Sequence, residues 1–237
     1  MKSTQQGFTL VEIAIVLVII GLLLGGVLKG QELINSAKAK SLVNDFRTIS
    51  TAIYAYQDRF RFMPGDDPAA GQHVGGANAS SPNTEARGNG RIGGSWNSTT
   101  ATDEAFLVWQ HLRMANLLTG TSDISDTGAA SPYYPKNADN GRIGITGAAP
   151  ITPATSSATS NPSAALPMTG AFFICSDGIS ARLARQVDST MDDGATNTGN
   201  VRAMSQTDGA GAATGTAVEI TPALEAEGRL YTVCVAF

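Results

Sequence analysis

The sequence is poor in the residues that most often carry catalysis and metal binding. It has two histidines and two cysteines in 237 residues, and neither G-x-S-x-G nor H-E-x-x-H occurs. His73 and His111 form no triad or zinc pattern and are more typical of surface or core positions. The Gly-rich stretches lack the spacings of phosphate-binding loops. These absences disfavour an enzyme, although scattered carboxylates leave glycosidase chemistry open.

Charge is scarce as well. Charged residues are 15% of the chain, against about 25% in an average domain. Small and polar residues take their place, which favours long loops. The net charge of −4 argues against a nucleic-acid partner, because such a partner requires a basic face.

One stretch differs sharply from this polar background. Phe8 to Leu28 is an almost unbroken apolar run, and as a helix it would be about 31 Å long, close to the roughly 30 Å core of a bilayer. Glu12 lies inside it. A carboxylate there is a functional candidate, with snorkelling to the headgroups as the alternative. An ordinary secretory signal is disfavoured because no small-x-small cleavage site follows the run.

The residues around this run carry a resemblance to a known family. A short basic leader ends in Gly7, and Phe8-Thr9-Leu10-Val11-Glu12 and about 20 apolar residues follow. This resembles the class III leader of type IV prepilins and type II secretion pseudopilins, over residues 1 to about 60. The resemblance implies that prepilin peptidase cleaves between Gly7 and Phe8 and that Phe8 is N-methylated. It also implies that Glu12 is the family's helix-embedded glutamate.

A buried carboxylate needs a partner, and cleavage creates one. The new amine of Phe8 is the nearest cation that the chain itself can supply. We therefore expect Glu12 of one subunit to pair with the Phe8 amine of a neighbour in a filament, where the pair would fix the register of the helices.

The resemblance also implies a domain layout and a set of partners. The layout is a leader at 1–7, a transmembrane and filament-core helix at 8–28, its amphipathic continuation at 29–61 and a globular head at 62–237. The expected partners are copies of the chain, related pilins, prepilin peptidase, an inner-membrane assembly platform and the membrane. No cofactor and no nucleic acid are expected.

The expected location is a single-pass inner-membrane precursor with a periplasmic head, then an extracellular or periplasmic filament. The positive-inside rule alone predicts the opposite orientation, since several basic residues follow the span (Lys29, Lys38, Lys40 and Arg47). We give more weight to the leader and to the cysteines. In an exported protein Cys175 and Cys234 are expected to form a disulfide, whereas in the cytosol they would be two unrelated thiols.

A late acidic group is the one metal candidate. Calcium takes six to eight oxygen ligands, several of them from carboxylates, which makes candidates of Asp188, Asp192 and Asp193, extended by Asp208. These candidates are weak because their spacing matches no EF-hand loop. A solvated helix end is the favoured interpretation, so no metal is expected. Asp66 and Asp67 are likewise interpreted as turn residues rather than a cation site.

The predicted fold is α+β and pilin-like, with a long N-terminal helix packed by its second half on a small antiparallel sheet with long loops. Apolar residues at helical spacing predict that the helix continues to about Arg61, and Met63-Pro64-Gly65 is expected to end it. Two further helices are predicted, Glu104–Leu118, ended by Gly120, and Ile179–Met191, capped by Asp177. Strands are predicted at 171–175, 200–206 and 230–237, and loops at 69–102, 147–170 and 207–216.

The function predicted from these features is that of a structural subunit in a type IV pilus-like filament. A type II secretion pseudopilin is the alternative within the family. A membrane-anchored enzyme, or an adhesin unrelated to filaments, is less favoured.

Overall fold

A computed structural model describes residues 10–80, 87–153, 166–206 and 211–237. The chain divides into two compact units, residues 1–38 and 39–237. The helices are α1 Leu10–Phe60, α2 Ala70–His73, α3 Glu104–Met114, α4 Ala181–Met191 and α5 Pro222–Ala226. The strands are β1 Ile143–Thr146, β2 Ile151–Thr152, β3 Phe173–Ser180, β4 Val201–Ser205, β5 Gly215–Thr216 and β6 Leu230–Ala236.

The long helix predicted at the N-terminus is present as α1, without a break from Leu10 to Phe60. It passes through its glycines despite a propensity cost of about 1 kcal/mol for each. It ends because Arg61 adopts a left-handed φ of 66°, so the chain turns before it reaches Pro64. The predicted start at Phe8 lies outside the described residues.

The second half of α1 has the predicted buried stripe. Leu42, Phe46, Ile53 and Tyr56 are each at most 1% exposed. Burying a side chain of this size stabilises a fold by about 1.5–3 kcal/mol. The stripe belongs to one core cluster that also contains apolar side chains of α3 and of the sheet, among them Phe106, Leu112, Ile174, Val201 and Val233.

A four-stranded antiparallel sheet has the order β1-β3-β6-β4. One of its two inner strands, β6, alternates, since Tyr231, Val233 and Val235 belong to the main core whereas Cys234 belongs to a second apolar cluster. Cys234 lies directly opposite Cys175 on β3, and the two form a disulfide. A long apolar helix followed by this small sheet confirms the α+β, pilin-like fold class.

Two predicted helix boundaries are wrong. α3 ends at Met114 rather than Leu118, because Asn116 takes a left-handed φ of 59° before Gly120 is reached. α4 begins at Ala181 rather than Ile179, because Ile179 pairs with Tyr231 across β3 and β6.

Two other local predictions also need correction. Ser180, not Asp177, occupies the N-cap position of α4, and the Asp177 carboxylate instead accepts the backbone N–H of Arg142. The stretches predicted as loops contain α2 and a short parallel pair, β2 with β5.

Candidate assembly site

The first half of α1 exposes apolar side chains around its whole circumference. Every residue from 10 to 29 is exposed, with Leu10 at 91%, Leu22 at 73% and Leu28 at 67%. An uncovered apolar surface of this extent marks a membrane or protein contact. Among the described residues one helix, α1, is long and apolar enough to cross a membrane by length and composition, which suggests membrane anchoring.

Glu12 lies in the first described turn of α1, on this apolar surface. A carboxylate near a helix N-terminus is favoured by the backbone dipole, typically by 0.3–1 kcal/mol. Gly7 and Phe8, the predicted cleavage and methylation positions, lie outside the described residues. The pairing of Glu12 with an N-terminal amine therefore stays a prediction.

Glycine spacing within α1 is a feature that the sequence analysis missed. Gly21 and Gly25 form one G-x-x-x-G pair and Gly26 and Gly30 form another. A Cβ added at any of these four positions would meet no atom within 4 Å, so the fold of the chain itself does not require them. Glycines spaced in this way in an apolar helix let two helix backbones approach closely. The repeat was visible in the sequence.

The prokaryotic N-terminal methylation motif matches residues 2–28 of the chain. This match, with the long apolar α1, supports a class III leader of the type IV pilin and pseudopilin family. Proteins with this motif are structural, and the motif implies processing by prepilin peptidase and assembly into filaments in general. No curated protein and no solved structure matches the chain.

Two buried carboxylates follow the end of α1, and their oxygens accept hydrogen bonds from donors within the protein. Asp66 accepts the backbone N–H groups of Gly88 at 2.5 Å and Gly90 at 2.7 Å. Asp67 accepts the Tyr56 hydroxyl at 2.7 Å and contacts His73 Nδ1 at 2.7 Å. These contacts hold the chain around a turn, in agreement with the interpretation from sequence.

His111 is a core residue. Its Nδ1 accepts the backbone N–H of Gly65 at 2.9 Å, so its Nε2 carries the proton and donates to the Ala77 carbonyl at 2.7 Å. Burial lowers its pKa, although the Ala77 carbonyl and the charge of Asp67 oppose the shift. Both ring nitrogens are thus engaged, which suits a structural role.

The structure brings together three of the four acidic residues singled out in the sequence. One carboxylate oxygen each from Asp188, Asp192 and Asp193 lies within 4.8 Å of the others. Asp208 lies outside the described residues.

Proposed function

We propose that this protein is the subunit of a type IV pilus-like filament, polymerised through the first half of α1. The observation that carries the proposal is the uncovered apolar surface of residues 10–29 in a segment that bears the methylation motif. In the precursor, lipid would cover this surface. In the filament, the same surfaces of other copies would replace lipid, which requires no net exposure of apolar area to water.

Glu12 supplies the specificity that apolar contact lacks. Helices in lipid gain little from hydrophobic contact alone, because lipid tails are equally apolar. A carboxylate that meets the Phe8 amine of a neighbour would select one axial register. Breaking a buried ion pair by removing one partner costs about 3–5 kcal/mol, so the unpaired state would be strongly disfavoured.

The test is Glu12→Ala in the full chain, measured as filament yield, membrane insertion and leader cleavage. We expect insertion and cleavage to persist and filament yield to fall at least tenfold, which corresponds to about 1.4 kcal/mol. Glu32→Ala is the matched control, because Glu32 is an exposed glutamate on the same helix and its carboxylate pairs with Lys29 at 2.8 Å. Normal filament yield from Glu12→Ala would refute the assembly role.

Leader cleavage and N-methylation can be tested separately from filament assembly. Mass spectrometry of the mature protein should find a chain that begins at N-methylated Phe8. An intact Met1, or a cleavage after Leu28, would contradict processing after Gly7.

The disulfide supports the proposed orientation, with the head in the periplasm before assembly. Disulfides persist in oxidising compartments, and Cys175 and Cys234 are joined. Protease added to spheroplasts should degrade the head while the membrane is intact. A head that is protected until the membrane is lysed would support the cytoplasmic orientation that the flanking lysines predict.

A pseudopilin of a type II secretion system is the alternative to a pilus subunit. Deletion of the gene distinguishes the two. Loss of surface filaments with normal protein secretion supports the pilus. Retention of secreted enzymes in the periplasm, with surface filaments unchanged, supports the pseudopilin.

A further inference from the structure

Two buried carboxyl groups meet where the turn after α1 packs on the first residue of α3. Asp66 is 0% exposed and Glu104 is 4% exposed, and a hydrogen bond joins their side chains. The backbones are also close at this point, because a Cβ added at Gly65 would clash with the carbonyl oxygen of Glu104. The packing of the head therefore fixes the contact between the two acids.

The two carboxyl groups differ in the donors that the backbone supplies. Asp66 accepts three consecutive N–H groups, those of residues 88–90, at 2.5, 3.3 and 2.7 Å. Glu104 accepts the N–H of Gly93 at 2.7 Å. Hydrogen bonds of this kind favour the ionised form of a carboxyl group. Asp66 is therefore the member of the pair that is better suited to carry the negative charge.

A hydrogen bond between two carboxyl groups requires a proton, because an ionised carboxylate can only accept. Like charges at one buried site also oppose the ionisation of both groups. Burial raises the pKa of Asp66, whereas the N–H groups of residues 90, 88 and 89 and the bond from Glu104 oppose the rise. The bond from Glu104 acts in the direction expected when Glu104 donates a proton to Asp66.

Other titratable groups on the adjoining segments have different partners. Asp67 pairs with the Tyr56 hydroxyl and with His73. On α3, Asp103 accepts a serine hydroxyl, and His111 accepts a backbone N–H from the turn after α1. Burial lowers the pKa of His111, so its ring is neutral at neutral pH. The two histidines and Asp103 thus supply no positive charge to the Asp66 carboxylate by direct contact.

Two cations flank the segment that encloses Asp66. Arg87 and Arg91 lie on either side of residues 88–90, and both are exposed. In the described part of the chain neither forms an ion pair with Asp66 within 4 Å. The backbone of this segment, and not its side-chain charges, therefore holds the carboxylate.

We infer that Asp66 and Glu104 share one proton at neutral pH, carried by Glu104, and that this proton is a pH-sensitive link between the turn after α1, residues 88–93 and α3. Loss of the proton would leave two adjacent buried charges and break the bond that joins the two acids. Residues 88–93 would then open, because the same two acids hold their N–H groups. This inference does not rest on filament assembly.

The shared proton should make the head less stable as the pH rises. The stability that it supplies is fully present below the ordinary aspartate pKa near 3.9 and is lost as the pH rises through the folded-state pKa of the pair. Between these two values the folding equilibrium constant should fall by up to about tenfold per pH unit, relative to a variant with no such proton. Above the folded-state value the ratio should stay constant.

Glu104→Gln is the principal test, because a glutamine amide can donate the same hydrogen bond but does not titrate. Urea unfolding of the full chain in detergent gives the equilibrium constants. From about pH 5 to about pH 7 we expect the ratio of wild type to variant to fall by up to about tenfold per unit. Burial also raises the pKa of Asp188, but both proteins contain Asp188 and its effect cancels. Glu32→Gln, at an exposed position on α1, should follow the wild type.

A second pair of measurements examines the proton and the segment directly. The infrared difference spectrum of wild type minus Glu104→Gln at neutral pH should contain the carbonyl stretch of a protonated carboxyl group. Trypsin cleavage after Arg87 and Arg91 should follow the population of the open form, so it should rise with pH faster in the wild type than in the variant. If Glu104→Gln does not fold, Asp66→Asn removes the other acid and should lose the same pH dependence.

Three results would overturn the inference. They are a ratio of equilibrium constants that does not change from about pH 5 to about pH 7, a difference spectrum without a protonated carboxyl band, and tryptic cleavage that rises with pH equally in wild type and variant.

Discussion

Removal of the disulfide should destabilise the head by an amount that depends on the number of residues in the loop that it closes. Cys175 and Cys234 are 59 residues apart in sequence, and a loop of that size is worth about 4 kcal/mol on the chain-entropy account. In a domain of this size each kcal/mol shifts Tm by about 2–4 °C. We therefore expect reduction to lower the Tm of the head by about 8–16 °C. Both cysteines are 0% exposed, so the native bond should resist reductant until the sheet opens.

Tryptophan fluorescence is the suitable assay, because both tryptophans of the chain lie in the head. Trp96 belongs to the same apolar cluster as the disulfide, and Trp109 to the main core. Wild type unfolded and refolded in reductant loses only the cross-link, whereas the double variant Cys175→Ala, Cys234→Ala also loses the packing of two sulfurs. The double variant should thus be the less stable of the two. A Tm within 2 °C of the oxidised protein in both samples would refute the cross-link account.

Two further predictions concern other parts of the molecule. Asp67→Asn should cost about 2 kcal/mol at neutral pH, because buried hydrogen bonds to a charged group are lost. Burial raises the pKa of Asp67, but bonds from His73, Tyr56 and the backbone outweigh it and the net pKa is lowered. The stability that this carboxylate adds is then present above the ordinary aspartate pKa near 3.9 and is lost as the pH falls through the lower folded-state value, so a urea titration series should find the two proteins converging in acid. Gly25→Leu should leave insertion and head stability intact but reduce filament yield, whereas Leu24→Ile should not; equal yields from both would argue against close helix contact at the glycines.

The parts of the fold that were predictable are those with a long, regular pattern. The stripe from Leu42 to Tyr56 repeats at helical spacing over several turns, and the alternation in β6 has a period of two. Each pattern reflects a face that must be buried, so sequence and structure agree. Spacing alone does not predict the Cys175–Cys234 pair, which is expected only in an exported protein, and the structure places the two residues opposite each other on adjacent strands.

The parts that failed depend on contacts between distant segments. Ile179 looks helical beside Leu183 and Val187, but pairing with Tyr231 keeps it in β3. Asp177 has the residue type of a helix cap, but its carboxylate instead accepts a hydrogen bond from the backbone N–H of Arg142. Local propensity cannot report a partner that lies tens of residues away. The burial of Asp188 was hidden for the same reason, since an aspartate near a helix end is ordinarily exposed.

Most buried carboxylates of the head accept hydrogen bonds from the protein itself. Asp66 and Asp67 are both 0% exposed. Asp66 accepts the backbone N–H groups of Gly88 and Gly90, 22 and 24 residues further along the chain, and Asp67 accepts the Tyr56 hydroxyl and the neighbouring Ala69 N–H. Asp188 is equally buried in the same unit but has no such donors in the described structure. Glu104, which is also buried, accepts the backbone N–H of Gly93 at 2.7 Å, so Asp188 differs from the other three buried acids of the described structure. Burial, and then the charges of Asp193 and Asp192, raise the pKa of Asp188 to about 7, so a proton neutralises this carboxylate at a higher pH than it would an ordinary aspartate.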